Sequence, residues 1–178
     1  VFRDDRPFKV GDIVETNGHL GIIQEINMRA TTLQTFQGQF VFLPNRKIFE
    51  ESVTNYSFLK KRRIDLEVGV SYGDHLDKVA GVTVDALKDI ATRDTNKPVE
   101  LCFVGFGSSS IDFQVRFWIP FTEQPQFLAA RSAAIMRIHE AFNANDITIP
   151  FPIRTLDFGI KGGKPLDSFL PPSAATKG

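Results

Sequence analysis

Residues 7–57, PFKVGDIVETNGHLGIIQEINMRATTLQTFQGQFVFLPNRKIFEESVTNYS, decide the fold. Turn residues cut this stretch into short strands: Asp12–Thr16, Gly21–Met28, Thr31–Phe36, Gln39–Leu43 and Val53–Ser57. Asn17-Gly18 is a strong hairpin signal, because both central residues of a type I′ turn need positive φ, which Gly tolerates and Asn accepts. Gln37-Gly38 is a weaker copy of it. Phe40 and Phe42 fall on one face of their strand and Val41 and Leu43 on the other, so burial on both sides is expected. Five short strands in so few residues suit a small curled barrel, Sm/SH3-like in kind. Pro44-Asn45 closes the fourth strand, and Asn45 is expected to cap one helical turn, Arg46–Phe49.

The 178 residues are 42% hydrophobic, enough for one domain or two small ones with real cores. Lys plus Arg (21) equals Asp plus Glu (21), and the segments 1–57, 58–71, 72–158 and 159–178 carry about −1, +2, −3 and +2. A nucleic-acid footprint needs a clear basic excess, so no nucleic-acid partner is expected. The single cysteine, Cys102, rules out an internal disulfide and sits in the apolar run Leu101-Cys102-Phe103-Val104, where a buried, inert thiol is expected. No apolar run is long enough to span a bilayer and no signal peptide is visible. The chain opens at Val1 in the string Arg3-Asp4-Asp5-Arg6 without an initiator Met, which reads as a fragment of a longer protein.

Phe58–Arg63 links this first domain to a second. Its basic run Lys60-Lys61-Arg62-Arg63 suits either a solvated linker or a patch facing anionic lipid or a conducted ion, and the charges alone leave both readings open. From Ile64 the pattern alternates, with Ile64, Leu66, Val68 and Val70 on one face and Asp65, Glu67, Gly69 and Ser71 on the other, a half-buried strand. Asp74 is the expected N-cap of a helix whose apolar stripe is Leu76, Val79, Ala80, Thr83, Leu87 and Ile90. Strands are expected at Pro98–Val104 and Ser110–Ile119, then a helix over Pro125–Asn143 with Leu128, Arg131, Ile135, Ile138 and Phe142 near one stripe, then a last strand from Arg154 to Ile160. The order β-α-β-β-α-β is that of a ferredoxin-like sandwich, so the chain as a whole is α+β. The tail beyond Gly159, rich in Gly, Pro, Ser and Lys, reads as mobile.

Chemistry is hard to place on this chain. His19, His75 and His139 have no metal-ligand spacing, and the Glu beside His139 lacks the second His of a zincin motif. Gly105-Phe106-Gly107-Ser108-Ser109-Ser110 has no P-loop Lys and precedes a strand, so it is read as a strand connection and not as a phosphate cradle. No general base can be paired with a serine nucleophile. Neither an enzyme activity nor a cofactor is expected.

With both halves laid out, a family resemblance emerges. The string Arg6-Pro7-Phe8-Lys9-Val10-Gly11-Asp12, then Gly21–Ile26, Thr31-Thr32, Leu43-Pro44-Asn45 with Lys47-Ile48, and Asn55-Tyr56-Ser57 resembles the cytoplasmic β domain of the small-conductance mechanosensitive channel (MscS) family. Gly69-Val70-Ser71-Tyr72 with Asp74, Gly107–Ile111 leading into Phe113-Gln114-Val115-Arg116, and Ile147–Pro152 are similar to that family's α/β domain. The resemblance runs in order from about residue 3 to residue 160.

It implies a homo-oligomer, a heptamer in this family, in which residues 1–6 end a pore-lining helix and residues 7–57 form the β domain. Residues 58–63 would be the linker, 64–153 the α/β domain, 154–160 a strand of an oligomeric barrel and 161–178 a flexible tail. The implied function is the cytoplasmic cage of a channel in the cell's inner membrane, opened by membrane tension and passing ions and small osmolytes in hypo-osmotic shock. Membrane-spanning helices would precede Val1. Pro44, Asn45 and Arg46 align with the loop that touches the pore helix, although Arg46 replaces the small residue common there. Asp65 and Glu67 align near the side portals, where carboxylates would enrich cations and where Arg62 and Arg63 would offset them. Thr155, Leu156, Asp157 and Phe158 would supply the barrel strand. An edge of that kind is stable only when other chains pair with it, and the 17 Phe residues suggest aromatic contacts between subunits. A competing reading is a soluble ring-forming module whose small barrel holds RNA or a small ligand.

Overall fold

The computed structural model describes residues 6–156. Strands β1 (Ile13–Thr16), β2 (His19–Ile26), β3 (Ala30–Thr35), β4 (Phe40–Pro44) and β5 (Thr54–Asn55) form one antiparallel sheet in the order β4-β3-β2-β1-β5, with the short helix α1 (Asn45–Glu50) after β4. Asn17 (φ 51°) and Gly18 (φ 75°) make the β1–β2 turn, as the Asn-Gly signal requires. One apolar side chain per strand faces the same way, Val14, Ile23, Leu33 and Leu43, and these are buried with Phe8 and Ile48. A flat five-stranded sheet would leave that row in water, so the sheet curls over it and α1 closes the open side. No β4–β5 ladder exists among the described residues, which makes this a small barrel-like sheet whose hydrogen-bonded ring is not closed.

Two expectations for this domain need correction. β4 is not buried on both faces: Leu43 is inside, but Phe40 and Phe42 are 57% and 71% exposed, because β4 is a marginal strand with a core behind one face only. Asn45 does not cap α1, for the N-cap position is Pro44, with no side-chain bond. The Asn45 side chain instead accepts from Thr31 Oγ1 (2.8 Å) and donates to the Asn27 carbonyl (2.8 Å), while its backbone N–H donates to Arg29 O (2.9 Å). It ties the start of α1 to the β2–β3 turn.

The second domain comprises β6 (Lys61–Val70), α2 (Leu76–Lys88), β7 (Glu100–Phe106), β8 (Ile111–Pro120) and α3 (Gln124–Ala144), with sheet order β6-β8-β7, all antiparallel. Both helices cover one face, where Ile64, Leu66, Phe113, Val115 and Phe117 meet Val79, Leu87, Ala134, Ile138 and Phe142. The helix α3 packs beside α2, and Ala130 and Ala134 are buried in the core they share. Small side chains allow that approach, so the buried row runs 130-134-138-142 and the expected stripe residues Leu128 and Ile135 are exposed. Glu123 and Gln126 form the capping box that starts α3. At α2 the N-cap position is His75, not Asp74, whose carboxylate accepts from the Thr148 N–H (3.0 Å). Cys102 is exposed, against expectation: it lies opposite Gln114 on the sheet face that no helix covers.

Three strands of the ferredoxin-like order are present, 1-3-2. The chain after α3 does not complete it within the described residues, since residues 147–156 form no strand. The Thr148 carbonyl accepts from Ser71 N (3.0 Å) and Ile153 N donates to Ser109 Oγ (3.0 Å), so this segment crosses the end of the sheet from β6 to the β7–β8 turn. The outer edge of β6 is therefore left without a strand partner among the described residues.

Two elements of this fold can be tested directly. A Cβ at Gly21 would overlap the Gln34 carbonyl oxygen and the Leu33 side chain. Gly21→Ala is expected to destabilise the chain by about 1–3 kcal/mol in urea titrations. The start of β6 is pinned by Lys61 Nζ on Asp94 Oδ2 (2.7 Å), and Asp94 Oδ1 accepts from Asn96 N (3.0 Å). The hydrogen bond from Lys61, then that from Asn96, holds the Asp94 carboxyl below its ordinary value of 3.8. A carboxylate depressed on folding contributes stability above its unfolded-state pKa and loses it as pH falls through the folded value. Asp94→Asn should therefore lower the melting temperature at neutral pH, and its deficit relative to the parent chain should shrink below pH 3.8.

Candidate functional site

The entry and exit of the β domain are joined by a hydrogen-bonded knot. Asn55 Nδ2 donates to the Pro7 carbonyl (3.0 Å) and to Asp12 Oδ2 (2.9 Å), and Asn55 Oδ1 accepts from Ser57 N (2.9 Å). Asp12 Oδ2 also accepts from Lys9 N (3.0 Å), and Ser57 Oγ accepts from Ile13 N (3.0 Å). Buried Asp12 thus has its charge met by donors, as burial requires. These are residues of the first and last motifs that carry the resemblance, and the knot is why they are polar.

At the Pro44–Arg46 loop, Asn45 is held as described, and Ile48 anchors α1 in the core. Arg46 points outward with its side chain 88% exposed, and its Nε lies 2.7 Å from Glu50 Oε1. Such an exposed i,i+4 pair is worth about 0.3–0.5 kcal/mol, so Glu50 partly offsets the charge without fixing the side chain.

The four residues expected at a portal do not sit together. Alternation along β6 puts Arg63, Asp65 and Glu67 on the open face of the sheet and Arg62 on the helix-covered face. Arg63 Nε and Nη2 donate to the two Asp65 oxygens at 2.7 and 2.8 Å, and this bidentate bond raises the Arg63 pKa above its ordinary value. Glu67 makes no ion pair among the described residues. Asp65 and Glu67, with Gln114, Arg131, Ile135, His139 and Ile149, line a groove of about 600 Å³ along the free edge of β6.

Arg62 turns the other way. Its guanidinium carbon lies 3.7 Å from the Phe127 ring centre, 4.3 Å from that of Tyr56 and 5.2 Å from that of Phe121, and Nη1 donates to Gln124 Oε1 (3.1 Å). Burial in this box lowers the Arg62 pKa, while Tyr56 and Glu15 oppose the shift. Tyr56 in turn donates through its hydroxyl to Glu15 Oε2 (2.7 Å), a bond that is the main cause of its raised pKa. Sequence reasoning missed this box because Phe121, Gln124 and Phe127 stand some sixty residues from Arg62, and no local pattern joins them.

Of the proposed barrel strand, Thr155 and Leu156 have no strand pairing and are exposed. Asp157 and Phe158 lie outside the described residues. No group of three or more metal-ligating side chains occurs among the described residues. None of the described helices is long and apolar enough to cross a membrane.

Residues 3–58 match the family model for the mechanosensitive ion channel β-domain, and residues 64–149 match that for the mechanosensitive ion channel MscS C-terminal domain. The chain is 35% identical over 155 residues to a small-conductance mechanosensitive channel of Helicobacter pylori, covering 87% of this chain and 55% of that protein. It is 31% identical over 155 residues to an MscS family protein of Archaeoglobus fulgidus, covering 86% and 53%. The chain thus spans about half the length of the curated relatives it matches. The closed-state crystal structure of Helicobacter pylori MscS superposes with a TM-score of 0.80 at 33% identity, over 85% of this chain and 59% of that one. The cryo-EM structure of Arabidopsis thaliana MSL1 shares the fold, with a TM-score of 0.68 at 14% identity, over 82% and 54%. With both domain models matched in order across residues 3–149, the chain belongs to the MscS family of mechanosensitive channels and carries its β domain and C-terminal domain.

Proposed function

We propose that this chain works as the cytoplasmic cage of an ion channel that opens under membrane tension and releases ions and small osmolytes in hypo-osmotic shock. The observation that carries the reading is the ordered pair of family domains, supported by the fit to Helicobacter pylori MscS. The cage is a homo-heptamer on the cytoplasmic side of the inner membrane, joined to membrane-spanning helices at the end of the β domain where Arg6 and Pro7 enter. The reading as an RNA- or ligand-binding module has no comparable support.

Exposed apolar surface favours assembly. Phe40 and Phe42 project from β4, whose outer edge has no strand partner among the described residues, and Phe106 and Phe151 are exposed on the second domain. Aromatic side chains beside an open strand edge fit an interface between copies. The Pro44-Asn45-Arg46 loop is the contact with the pore helix, with Asn45 held rigidly and Arg46 free to meet it. Thr155, Leu156, Asp157 and Phe158 give the strand of the shared barrel. Asp65 and Glu67 face the side portals, and because Arg63 compensates Asp65, Glu67 is the carboxylate with the larger effect on passing ions.

Light scattering of the purified chain should return a mass near seven times 19.9 kDa, and Phe42→Glu should reduce it; a monomer at every concentration would count against the heptamer. In membrane patches, the full-length protein should give tension-activated currents, and silence there sinks the channel reading. Glu67→Lys should shift the reversal potential in a salt gradient toward anions, by a change of at least about twofold in the cation-to-anion permeability ratio. Asp65→Asn should shift it the same way by releasing Arg63, and an unchanged potential in both variants would remove these residues from the permeation path.

A further inference from the structure

We propose that Arg62 is an interdomain positioning residue, a latch that fixes the angle between the β domain and the α/β domain by closing the hinge at Ser57–Lys60. The hinge is short, exposed and irregular: Ser57–Lys60 belongs to no strand, Phe58 and Leu59 are exposed, and Lys60 has φ 53°. Lys60 is non-glycine in the left-handed region, a conformation that surrounding contacts must hold in place. Behind it the chain is fixed to the second domain, since Phe121 N donates to Lys60 O (2.9 Å) and Lys61 is paired with Asp94. Ahead of it the chain is fixed to the first, since Tyr56 N donates to Ile13 O (2.9 Å) and Asn55 is tied to Pro7 and Asp12.

Between these two fixed points Arg62 makes the crossing contact. Its side chain is rooted in β6, and Phe121, Phe127 and Gln124 belong to the α/β domain, while Tyr56 is fastened to β1 through Glu15. A planar guanidinium held between rings is defined in orientation as well as distance, because the cation gains from each ring face and the plane can stack. Rotation at the hinge would pull the Tyr56 ring off the guanidinium and leave a half-buried cation with fewer partners. The geometry thus assigns Arg62 to orientation and not to the field that permeating ions meet. This inference stands on the chain's own contacts, whether or not the assembled protein conducts.

Double electron–electron resonance tests it. Spin labels at Gln37→Cys in the β domain and Asp85→Cys on α2, in a Cys102→Ser background, report the interdomain distance. Labelled chains are diluted into unlabelled ones so that only distances within a chain are read. The parent should give one narrow distribution. Arg62→Ala and Tyr56→Ala, which remove opposite halves of the same contact, should each broaden it at least twofold while circular dichroism stays that of a folded chain. A parental width in either alanine variant that remains folded overturns the latch. If Arg62→Ala fails to fold, Tyr56→Ala alone decides, since it leaves the α/β core untouched.

Discussion

The side chain of Asn55 is the constraint on which the rest of this arrangement depends. One amide reaches the residue where the chain enters the β domain, the buried carboxylate of Asp12 and the backbone of Ser57 where the chain leaves. β5 has only two residues, Thr54 and Asn55, and pairs with β1 through two register positions, so the ladder by itself would hold the exit weakly. Side-chain bonds replace the missing strand length. Each is worth on the order of 1 kcal/mol and the one to the carboxylate more, because an ionised acceptor strengthens the bond. As a result entry and exit are held side by side. Under the proposed function, a displacement delivered at Pro7 would pass to Ser57 without first deforming the barrel-like sheet.

Beyond that knot the fold is limited by its edges. A three-stranded sheet with helices on one side and a five-stranded sheet curled around six apolar side chains both leave long margins. β4 and β6 carry different surfaces at these margins. β4 presents Phe40 and Phe42, an edge that favours pairing with another chain, whereas β6 presents Arg63, Asp65 and Glu67, charges of the kind that discourage edge-to-edge association. Under the proposed function, copies would meet through the β domain while β6 would stay in contact with solvent.

Much of this was legible in the sequence because the signals are local. Asn17-Gly18 placed a hairpin, alternation from Ile64 placed β6, and the ordered motifs placed both domains. The errors came where a tertiary partner outweighed a local preference. Asn45 has capping chemistry, yet Thr31 and the Asn27 carbonyl claim its side chain. Asp74 could cap α2, yet the N–H of Thr148 claims it across 74 residues. Leu128 and Ile135 lost the core to smaller Ala130 and Ala134, since close approach of two helices rewards small side chains at the contact. Lys60-Lys61-Arg62-Arg63 reads as one basic run, but the four residues have four environments: a strained hinge, an ion pair with Asp94, an aromatic box and a bidentate bond to Asp65.

That dispersal bears on electrostatics at the groove beside β6. A basic run counted from sequence suggests that Asp65 and Glu67 face an opposing cluster. Arg62 is withdrawn to the other face, Lys61 is engaged by Asp94, and Arg63 is consumed by Asp65. Across the same face Arg116 pairs with Asp65 in register and approaches Glu100 (3.5 Å), so its charge is shared as well. Charges matched at contact distance project little field beyond a Debye length of about 8 Å. Glu67 is the carboxylate of this strand that those pairs leave out, in a groove that Arg131 also lines. For a wall of low dielectric, a carboxylate outside such pairs has more effect at long range than one already neutralised.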